Sequence, residues 1–278
     1  STGNVIGFLE QYSGLNFVES IETLASLNSI EVPYEDSPKR AEGREDIYDA
    51  LDKATSFYES YLSNEASAEK VRKYLNEERK LSGSVCRHFS IGYAPSSWDA
   101  LTDHLVQKGI KEEVLINAGL SKRNKKGDLY DIFRDRLMFP IKDRKGRTVG
   151  FGGRVMNPED QPKYLNTGET LVFQKGKELY GLYESSLNRR DITKIFVVEG
   201  YVDVVAMFDK GMENSVATLG IATNRFHVQK LLQIVDEIVF CFDGDDAGRG
   251  AAWGALKNAL PAISDGAELK FLFLPDGE

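Results

Sequence analysis

Acidic residues end two strand-like stretches late in the chain, where they could bind a metal ion. Glu199 closes KIFVVEG (194–200), and Asp243 and Asp245 close EIVFCFDGD (237–245). A glycine directly follows Glu199 and Asp243, which lets the backbone turn sharply and leaves room for an ion or a phosphate. Converging carboxylates repel one another and raise their pKa values unless a cation neutralises them. Hard divalent ions prefer a few carboxylates with waters and phosphates, so this pattern is typical of a Mg²⁺ or Mn²⁺ site.

Each of these carboxylates also has a purely structural interpretation. Asp245 or Asp246 could cap the helix that is predicted to begin near Ala247, and acidic residues commonly follow strands in α/β proteins. For a single residue, the structural interpretation is the simpler one. The repetition of the pattern at two strand ends favours a metal-binding cluster.

Alternating strands and helices must position the acidic residues. The last hundred residues contain strand-like runs at 194–200, 214–220, 237–245 and 268–275, with helical stretches between them at 203–210, 224–234 and 246–259. The strand-like runs are apolar on both faces, as the strands of a parallel sheet covered by helices must be. Ligands of such sheets bind beyond the carboxyl ends of the strands, where the acidic residues lie.

Residues before 190 predict a mixed structure. A helical stripe runs from Ile47 to Tyr61, and the charged region 32–46, with two prolines, is expected to be a linker or a surface crossing. Shorter helices are predicted at 67–80, 97–107 and 111–119, and short strands of an antiparallel sheet at 137–141 and 148–155.

Several conspicuous residues favour structural roles. Gly150, Gly152 and Gly153 fit neither a phosphate-binding loop nor a dinucleotide fingerprint, and they predict a tight turn. Trp98 and Trp253 lie in helical patterns and are expected to pack. The histidines have no ligand spacing and are expected to be surface or core residues: His88, His104 and His227.

The composition excludes some classes of protein. The chain has 278 residues, of which 41% are hydrophobic and 28% charged, which argues against wholesale disorder. No apolar run approaches the ~20 residues that a membrane-spanning helix needs. The two cysteines, Cys86 and Cys241, cannot build a disulfide framework or a thiolate zinc cluster, and we expect both to be reduced.

The net charge of −8 hides a basic middle region. Residues 122–177 carry a net charge of +7, whereas 1–121 carry −8 and 178–278 carry −7. An acidic chain would ordinarily argue against nucleic acid, because lysine and arginine drive phosphate binding. Electrostatic fields act within a Debye length of ~8–10 Å, however, so the local excess decides. A solvated turn explains the basic residues of 122–126, while those that follow are interleaved with strand-like runs.

Long motifs along nearly the whole chain resemble a known family. EGYVDVVAMFDKG (199–211), LGIAT (219–223) and DGDDAGRGAAWGAL (243–256) are similar to the Toprim module. Further motifs are FRDRLMFPI (133–141), GRTVGFGGRV (146–155), PKYLNTGETLVFQKGKELYGLYE (162–184) and LFLPDGE (272–278). Together they resemble the RNA polymerase core of bacterial DNA primases of the DnaG type.

The resemblance implies an α/β fold with a Toprim-type parallel sheet flanked by helices, preceded by a mixed α+β N-terminal subdomain. Residues 1–40 are expected to be the helical tail of a missing zinc-binding domain plus a linker. Residues 41–190 would form the α+β subdomain with a basic groove for nucleotide and template. Residues 191–278 would form the Toprim subdomain, truncated before the acidic Asp-Pro-Asp segment of the family.

The resemblance also implies an activity and its residues. Members of the family are nucleotidyltransferases that start RNA primers de novo on single-stranded DNA. Glu199, Asp243 and Asp245 would be catalytic, and Asp203 would join them as a metal ligand. The residues that map onto nucleotide or template contacts are Arg79, Arg134, Arg136, Arg154, Lys163, Tyr164, Asn166 and Lys175. Tyr164 could instead pack, and Arg134 or Arg136 could pair with Asp131 or Asp135. Arg79 matches less closely, because YLNEERK has an extra residue and Lys80 in place of the family's glycine.

The implied cofactor is Mg²⁺ or Mn²⁺, with zinc only in the family's N-terminal domain. The implied partners are single-stranded DNA, NTPs, the RNA–DNA hybrid product, and the replicative helicase through a C-terminal domain missing here. No membrane partner is implied, and the location would be the bacterial cytoplasm at the replication fork. Two alternatives stay open: another Toprim enzyme, such as a nuclease or topoisomerase, and a non-catalytic DNA-binding module.

Overall fold

The computed structural model describes nine stretches of the chain. They are residues 5–6, 9, 20–21, 24–25, 38–157, 159–187, 192–220, 222–263 and 266–275. The chain divides into two compact units, residues 1–42 and 43–278. The helical tail expected at 1–40 lies mostly outside the described residues, and the domain boundaries stay a prediction. All the residues that carry the candidate site lie in the second unit.

The helices follow the predicted order. Their bounds are α1 Pro38–Asn64, α2 Glu69–Lys73, α3 Gly83–His88, α4 Ala100–Gln107, α5 Glu112–Asn117, α6 Leu182–Ser186, α7 Tyr201–Asp209, α8 Arg225–Leu232 and α9 Asp246–Ala259. A π-helical turn spans Tyr74–Glu78, and 3₁₀ turns span Ala66–Ala68 and Leu260–Ala262. Within the described stretches, no helix combines the length and the apolar character needed to cross a bilayer.

Helix α1 begins inside the region that was expected to be a linker. It starts at Pro38, so the second half of 32–46 is helical and that part of the expectation is wrong. Proline is tolerated in the first turn of a helix, where its missing N–H has no intrahelical partner. The lysine, arginine and glutamate residues that follow are good helix formers, although their charge resembles that of a linker.

The strands form two four-stranded sheets and a hairpin. Their bounds are β1 Gly92–Ala94, β2 Ser121–Arg123, β3 Leu129–Asp131, β4 Arg136–Lys142, β5 Thr148–Val155, β6 Tyr164–Asn166, β7 Lys194–Val198, β8 Ser215–Ala217, β9 Glu237–Phe242 and β10 Glu268–Phe273. One sheet is antiparallel with the order β1-β4-β5-β6, and the other is parallel with the order β10-β9-β7-β8. The hairpin pairs β2 with β3.

The parallel sheet confirms the prediction from the alternating pattern. Its central strands are buried on both faces, and their side chains join those of α8 and α9 in one apolar cluster. Ile195, Ile238 and Phe240 are fully buried between the helices. β7, β8 and β9 run parallel and each leads into a helix, so their carboxyl ends lie at the same edge of the sheet.

The glycine-rich stretch at 150–153 lies in the middle of β5, so the predicted tight turn is wrong. A Cβ atom on Gly152 would lie 2.4 Å from Cζ of Tyr201, and one on Gly153 would lie 2.9 Å from Cδ1 of Phe133. These residues are glycines because aromatic rings pack directly against the strand. A single sequence does not show those rings, since Tyr201 lies far along the chain.

Tyr201 joins the two sheets. It is the first residue of α7 in the parallel-sheet region, and its ring packs on Gly152 of the antiparallel sheet. The same ring stacks on Phe139 of β4 with a centroid distance of 5.2 Å and contacts Tyr180 edge-on at 4.9 Å. The hydroxyl donates a hydrogen bond of 2.6 Å to Oδ1 of Asn166 in β6. The residue that follows Glu199-Gly200 is therefore anchored in the other sheet.

Replacing Gly152 with alanine should destabilise the fold. The added methyl group would overlap the buried Tyr201 ring, and overpacking of this kind costs about 1–3 kcal/mol. The free energy of unfolding, measured by urea denaturation, should fall by that amount. Gly168→Ala is the matched control, because a Cβ atom there would have no neighbour within 4 Å. Equal stability of the two variants would contradict the close approach of Tyr201.

Candidate active site

Four carboxylates lie at the carboxyl edge of the parallel sheet, and we call them the acidic rim: Glu199, Asp203, Asp243 and Asp245. Glu199 directly follows β7 and Asp243 directly follows β9, and these strands are parallel neighbours. Asp203 lies in the first turn of α7, and Asp245 is the N-cap of α9. All four residues are exposed to solvent. The fold thus brings the sequence-predicted acidic residues to one edge.

Two of the rim carboxylates, Glu199 and Asp203, have raised pKa values. Lost hydration raises the pKa of Glu199, and the charges of Asp243, Asp203 and Asp245 raise it further, against a hydrogen bond from the Asp243 backbone. Lost hydration also raises the pKa of Asp203, with Asp243 adding to the rise and the Gly200 backbone opposing it. Raised carboxylate pKa values in an open acidic cluster are typical of functional sites.

Asp245 has the structural role that the sequence left open. Its Oδ1 accepts a hydrogen bond of 2.7 Å from the Gly248 backbone N–H and so caps α9. The turn is compact, because a Cβ atom on Gly248 would lie 2.1 Å from the carbonyl oxygen of Asp243. The cap therefore holds Asp243 in place, while the charge of Asp245 still raises the pKa of Glu199.

The rim is suited to a divalent cation, although its side chains do not form a complete metal-binding site by themselves. Among the described residues, no three acidic, histidine or cysteine side chains are arranged to hold one ion together. Mg²⁺ commonly binds to proteins through one or two carboxylates and takes its other ligands from waters and substrate phosphates. An all-oxygen donor set with mutual repulsion fits such an ion, which Glu199 and Asp243 would hold. The full ligand set with Asp203 and Asp245 stays a prediction.

Arginine and tyrosine side chains alternate beside the rim, and we call this set the arginine–tyrosine ladder: Arg79, Tyr74, Arg154 and Tyr164. Nε of Arg79 donates a hydrogen bond of 2.6 Å to the Tyr74 hydroxyl. The guanidinium carbon of Arg154 lies 5.4 Å from the Tyr74 ring centre and 5.7 Å from that of Tyr164, and its Nη1 donates a hydrogen bond of 3.2 Å to the Tyr164 hydroxyl. The charges of Arg79 and Arg154 oppose the rise in the pKa of Asp203, which indicates that the ladder lies near the rim.

A π-helical turn explains how Arg79 reaches this position despite its altered motif. The Arg79 N–H donates to the Tyr74 carbonyl oxygen at 3.0 Å, five residues back, which adds one residue to the turn. Lys80 then adopts a left-handed backbone with φ of 53°, a region that favours glycine. The extra residue and the missing glycine are therefore absorbed locally, and the Arg79 side chain still contacts Tyr74.

Two of the predicted nucleotide or template contacts form hydrogen bonds within the protein, and their role in binding stays a prediction. Arg136 is only 7% exposed, and its guanidinium donates to the carbonyl oxygens of Gly153 and Pro162 at 3.1 and 2.9 Å. Asn166 accepts from the Tyr201 hydroxyl, and its Nδ2 donates to the Leu219 carbonyl oxygen at 2.7 Å. Both side chains thereby stabilise the backbone of the segments that they bind.

The other predicted contacts are accessible. Lys163 is exposed, and Lys175 is half-buried. Tyr164 is half-buried against the apolar cluster and also contacts Arg154, so it both packs and lines the ladder. Binding of nucleotide or DNA by these residues stays a prediction.

Trp98 lies on an exposed surface that its sequence pattern does not predict. It was expected to pack, but it is 62% exposed, and the guanidinium carbon of Arg134 lies 4.0 Å from its ring centre. Arg134 also contacts the Asp131 carbonyl oxygen and lies 5.5 Å from the Tyr130 ring centre. The neighbouring β2–β3 hairpin carries the exposed basic residues of 122–126. Trp98 and Arg134 are distant in sequence, so only the fold brings the two together.

Trp253 was also expected to pack, and that expectation is wrong as well. Its side chain is 60% exposed on α9, with the Lys257 ammonium 5.5 Å from the ring centre. Helical periodicity identifies a face of a helix but does not show whether another element covers that face.

Comparisons with known proteins agree with the two-part architecture. Residues 57–186 match the family described as the N-terminal domain of the DNA primase catalytic core. Residues 196–277 match the Toprim-like family. The first region carries the ladder and the second carries the acidic rim.

Named relatives and solved structures are similar over most of the chain. The DNA primase of Pseudomonas putida KT2440 is 46% identical over 281 residues, which cover 99% of this chain and 42% of the relative. The DNA primase of Escherichia coli K12 is 45% identical over 280 residues, covering 99% and 48%. The chain thus spans about half the length of these relatives.

Solved structures of primase domains have the same fold as this chain. A crystal structure of a DNA primase domain from Pseudomonas aeruginosa has a TM-score of 0.78 at 47% identity and covers 84% of this chain and 72% of that one. A DnaG primase catalytic domain bound to single-stranded DNA has a TM-score of 0.78 at 46% identity, covering 86% and 76%. The Toprim-type sheet carries an acidic rim with a basic ladder beside it, and the fold is similar to that of primase catalytic cores. This chain therefore belongs to the family of DnaG-type DNA primases.

Proposed function

We propose that this chain is a template-directed RNA polymerase that starts short RNA primers de novo on single-stranded DNA. The proximity of the arginine–tyrosine ladder to the acidic rim carries the proposal, since the charges of Arg79 and Arg154 act on the ionisation of Asp203. Nucleotidyl transfer needs a cation-binding acidic group next to positive groups that bind a triphosphate, and these lie side by side here. Membership of the primase family supports the same reaction.

The chemistry follows from the charges of the site. The 3′-hydroxyl of one nucleotide attacks the α-phosphorus of the next, an O–P bond forms, and the bond to pyrophosphate breaks. A divalent cation, Mg²⁺ or Mn²⁺, when bound, would neutralise the attacking and leaving oxygens. The Glu199 carboxylate, with its raised pKa, is suited to accept the proton of the hydroxyl. Arg79 and Arg154, with Lys163 and Lys175, would bind and orient the triphosphate.

Template binding is assigned to the surface around Trp98. An exposed indole ring lets a base stack, and Arg134 and the lysines of the hairpin attract the DNA backbone. One of the similar structures is a primase catalytic domain bound to single-stranded DNA, which supports DNA binding by this chain. The RNA–DNA hybrid would be the product bound in the same region.

Further partners and the setting belong to the same proposal. The relatives are about twice as long as this chain, and a replicative helicase would be bound by a part of such a protein that lies outside this sequence. The reaction would take place at the replication fork in the bacterial cytoplasm.

A direct assay tests the proposal against its two alternatives. The protein is mixed with single-stranded DNA, labelled NTPs and Mg²⁺ or Mn²⁺, without a primer. Short RNA products are expected. DNA cleavage without RNA synthesis would favour a Toprim nuclease or topoisomerase, and binding without any reaction would favour a non-catalytic DNA-binding module.

Glu199→Gln should abolish RNA synthesis while leaving DNA binding intact. Loss of a general base typically costs a factor of about 10²–10⁴ in rate, and loss of the charge also weakens cation binding. Initial rates and the affinity for a labelled oligonucleotide are the measurements. Glu159→Gln, at another exposed carboxylate, is the matched control. A wild-type rate in Glu199→Gln would remove this residue from catalysis, and circular dichroism shows whether both variants are folded.

RNA synthesis should depend jointly on pH and on cation concentration. Carboxylates bind a cation in their deprotonated form, and the pKa values of Glu199 and Asp203 are raised, so the rate should fall as pH drops through them. A higher Mg²⁺ concentration should move this acid limb to lower pH, because the cation competes with protons. Rates measured across pH at two Mg²⁺ concentrations test this. Identical acid limbs would contradict a cation at the rim.

Trp98→Ala should weaken binding of single-stranded DNA. Stacking of a base on an aromatic ring contributes about 1–3 kcal/mol, so affinity should fall roughly fivefold to more than a hundredfold. Fluorescence anisotropy of a labelled oligonucleotide measures this loss. Trp253→Ala removes an equally exposed tryptophan from α9 and should leave the affinity unchanged. The same loss in both variants would sink the assignment of the Trp98 surface.

A further inference from the structure

The segment 174–178, which carries Lys175, lies beside helix α8 and is hydrogen-bonded to it. Nδ2 of Asn224, the N-cap of α8, donates to the Gly176 carbonyl oxygen at 2.9 Å. Two turns further on, Lys230 Nζ donates to the Lys177 carbonyl oxygen at 2.7 Å and pairs with Glu178 at 2.8 Å. Residues of α8 therefore bind consecutive backbone groups of this segment.

The backbone is held on both sides of Lys175, but its side chain is not. The Lys175 N–H donates to Oε1 of Glu169 at 2.9 Å, and Asn224 holds the next carbonyl group, that of Gly176. Within the described residues, the Lys175 ammonium forms no hydrogen bond or ion pair. A lysine with a fixed backbone and an unpaired ammonium is well placed to bind a phosphate, because little conformational entropy of the backbone is lost on binding.

Asn224 belongs to a rigid local structure. Its Oδ1 accepts from the His227 N–H at 3.1 Å, and Nδ1 of His227 accepts from the Asn224 N–H at 3.4 Å, so the two residues form a reciprocal capping box. His227 is fully buried, and burial lowers its pKa to about 4, so the imidazole stays neutral and Nδ1 remains an acceptor. The Asn224 amide group therefore points in a fixed direction.

The residues that follow β8 also contact β6 of the antiparallel sheet. Residues 219–220 and 222–224 follow β8, at the edge that carries the acidic rim. The Leu219 carbonyl oxygen accepts from Asn166 of β6, and Asn224 binds Gly176. These residues after β8 thereby set the position of both PKYLN and QKG segments relative to the rim.

We propose that Asn224 is a positioning residue for Lys175: its amide group holds the 174–178 segment so that the Lys175 ammonium is presented to the phosphates of a nucleoside triphosphate. The inference rests on the proposed function, because it takes Lys175 to be a triphosphate contact. Asn224 itself does not touch the nucleotide.

Asn224→Ser tests the proposal with little disturbance of the fold. Serine is as good an N-cap as asparagine, so the cap of α8 is kept, but serine has no N–H group that reaches Gly176. We expect the affinity for ATP with Mg²⁺, measured by isothermal titration calorimetry, to fall about three- to tenfold. Lys175→Ala should lower it at least as much. The double variant should be no worse than Lys175→Ala, because residues that act as one unit are not additive.

Asn214→Ser is the matched control. Asn214 makes the same kind of bond, from Nδ2 to the Lys194 carbonyl oxygen at 2.8 Å, but at the opposite end of β7. Its ATP affinity should equal that of the wild type. Amide hydrogen exchange, which needs no ligand, should become faster across 174–178 in Asn224→Ser and not in Asn214→Ser.

The outcomes separate the inference from the proposed function. If Lys175→Ala weakens ATP binding but Asn224→Ser does not, the positioning role is wrong and the proposed function stands. Additive losses in the double variant would also overturn the positioning role. If Lys175→Ala leaves ATP affinity unchanged, Lys175 is not a triphosphate contact, and the inference falls together with that part of the proposed function, whatever the exchange rates show.

Discussion

Electrostatic repulsion among the four carboxylates of the acidic rim is the constraint on which the rest of the site depends. Parallel strands that end side by side bring Glu199 and Asp243 to one edge, and the turns after them add Asp203 and Asp245. The surrounding structure offsets the repulsion with backbone N–H groups and with the two arginines of the ladder. A cation and a triphosphate would complete this balance, since one neutralises the rim and the other is attracted by the ladder.

The second constraint is geometric, because the acidic and basic groups belong to different sheets. Tyr201 connects the two sheets by packing on Gly152 of β5 and by its hydrogen bond to Asn166. The loop after β8 adds further bonds to the segments that carry the basic residues. A shift of one sheet relative to the other would therefore separate the ladder from the rim without changing any of their residues. Accurate spacing of this kind is what in-line phosphoryl chemistry requires.

The sequence predicted the elements well where a residue's role depends on its own segment. Apolar runs alternating with helical stretches predicted the parallel sheet, and acidic residues at strand ends predicted the rim. Prediction failed where the role depends on a distant partner. Gly152 of β5 is explained only by the Tyr201 ring, and the exposure of Trp98 depends on the absence of a covering element among the described residues. Positioning by Asn224 likewise depends on a segment that lies 48 residues away in sequence.

The central proposal for this site is that the acidic rim binds a divalent cation close to the arginine–tyrosine ladder. Anomalous diffraction from crystals soaked in Mn²⁺ and a nucleoside triphosphate would test this most directly. The account predicts an anomalous peak within bonding distance of Glu199 and Asp243, with the triphosphate between that peak and Arg154. A peak elsewhere, or a well-ordered triphosphate bound without any cation at the rim, would contradict it.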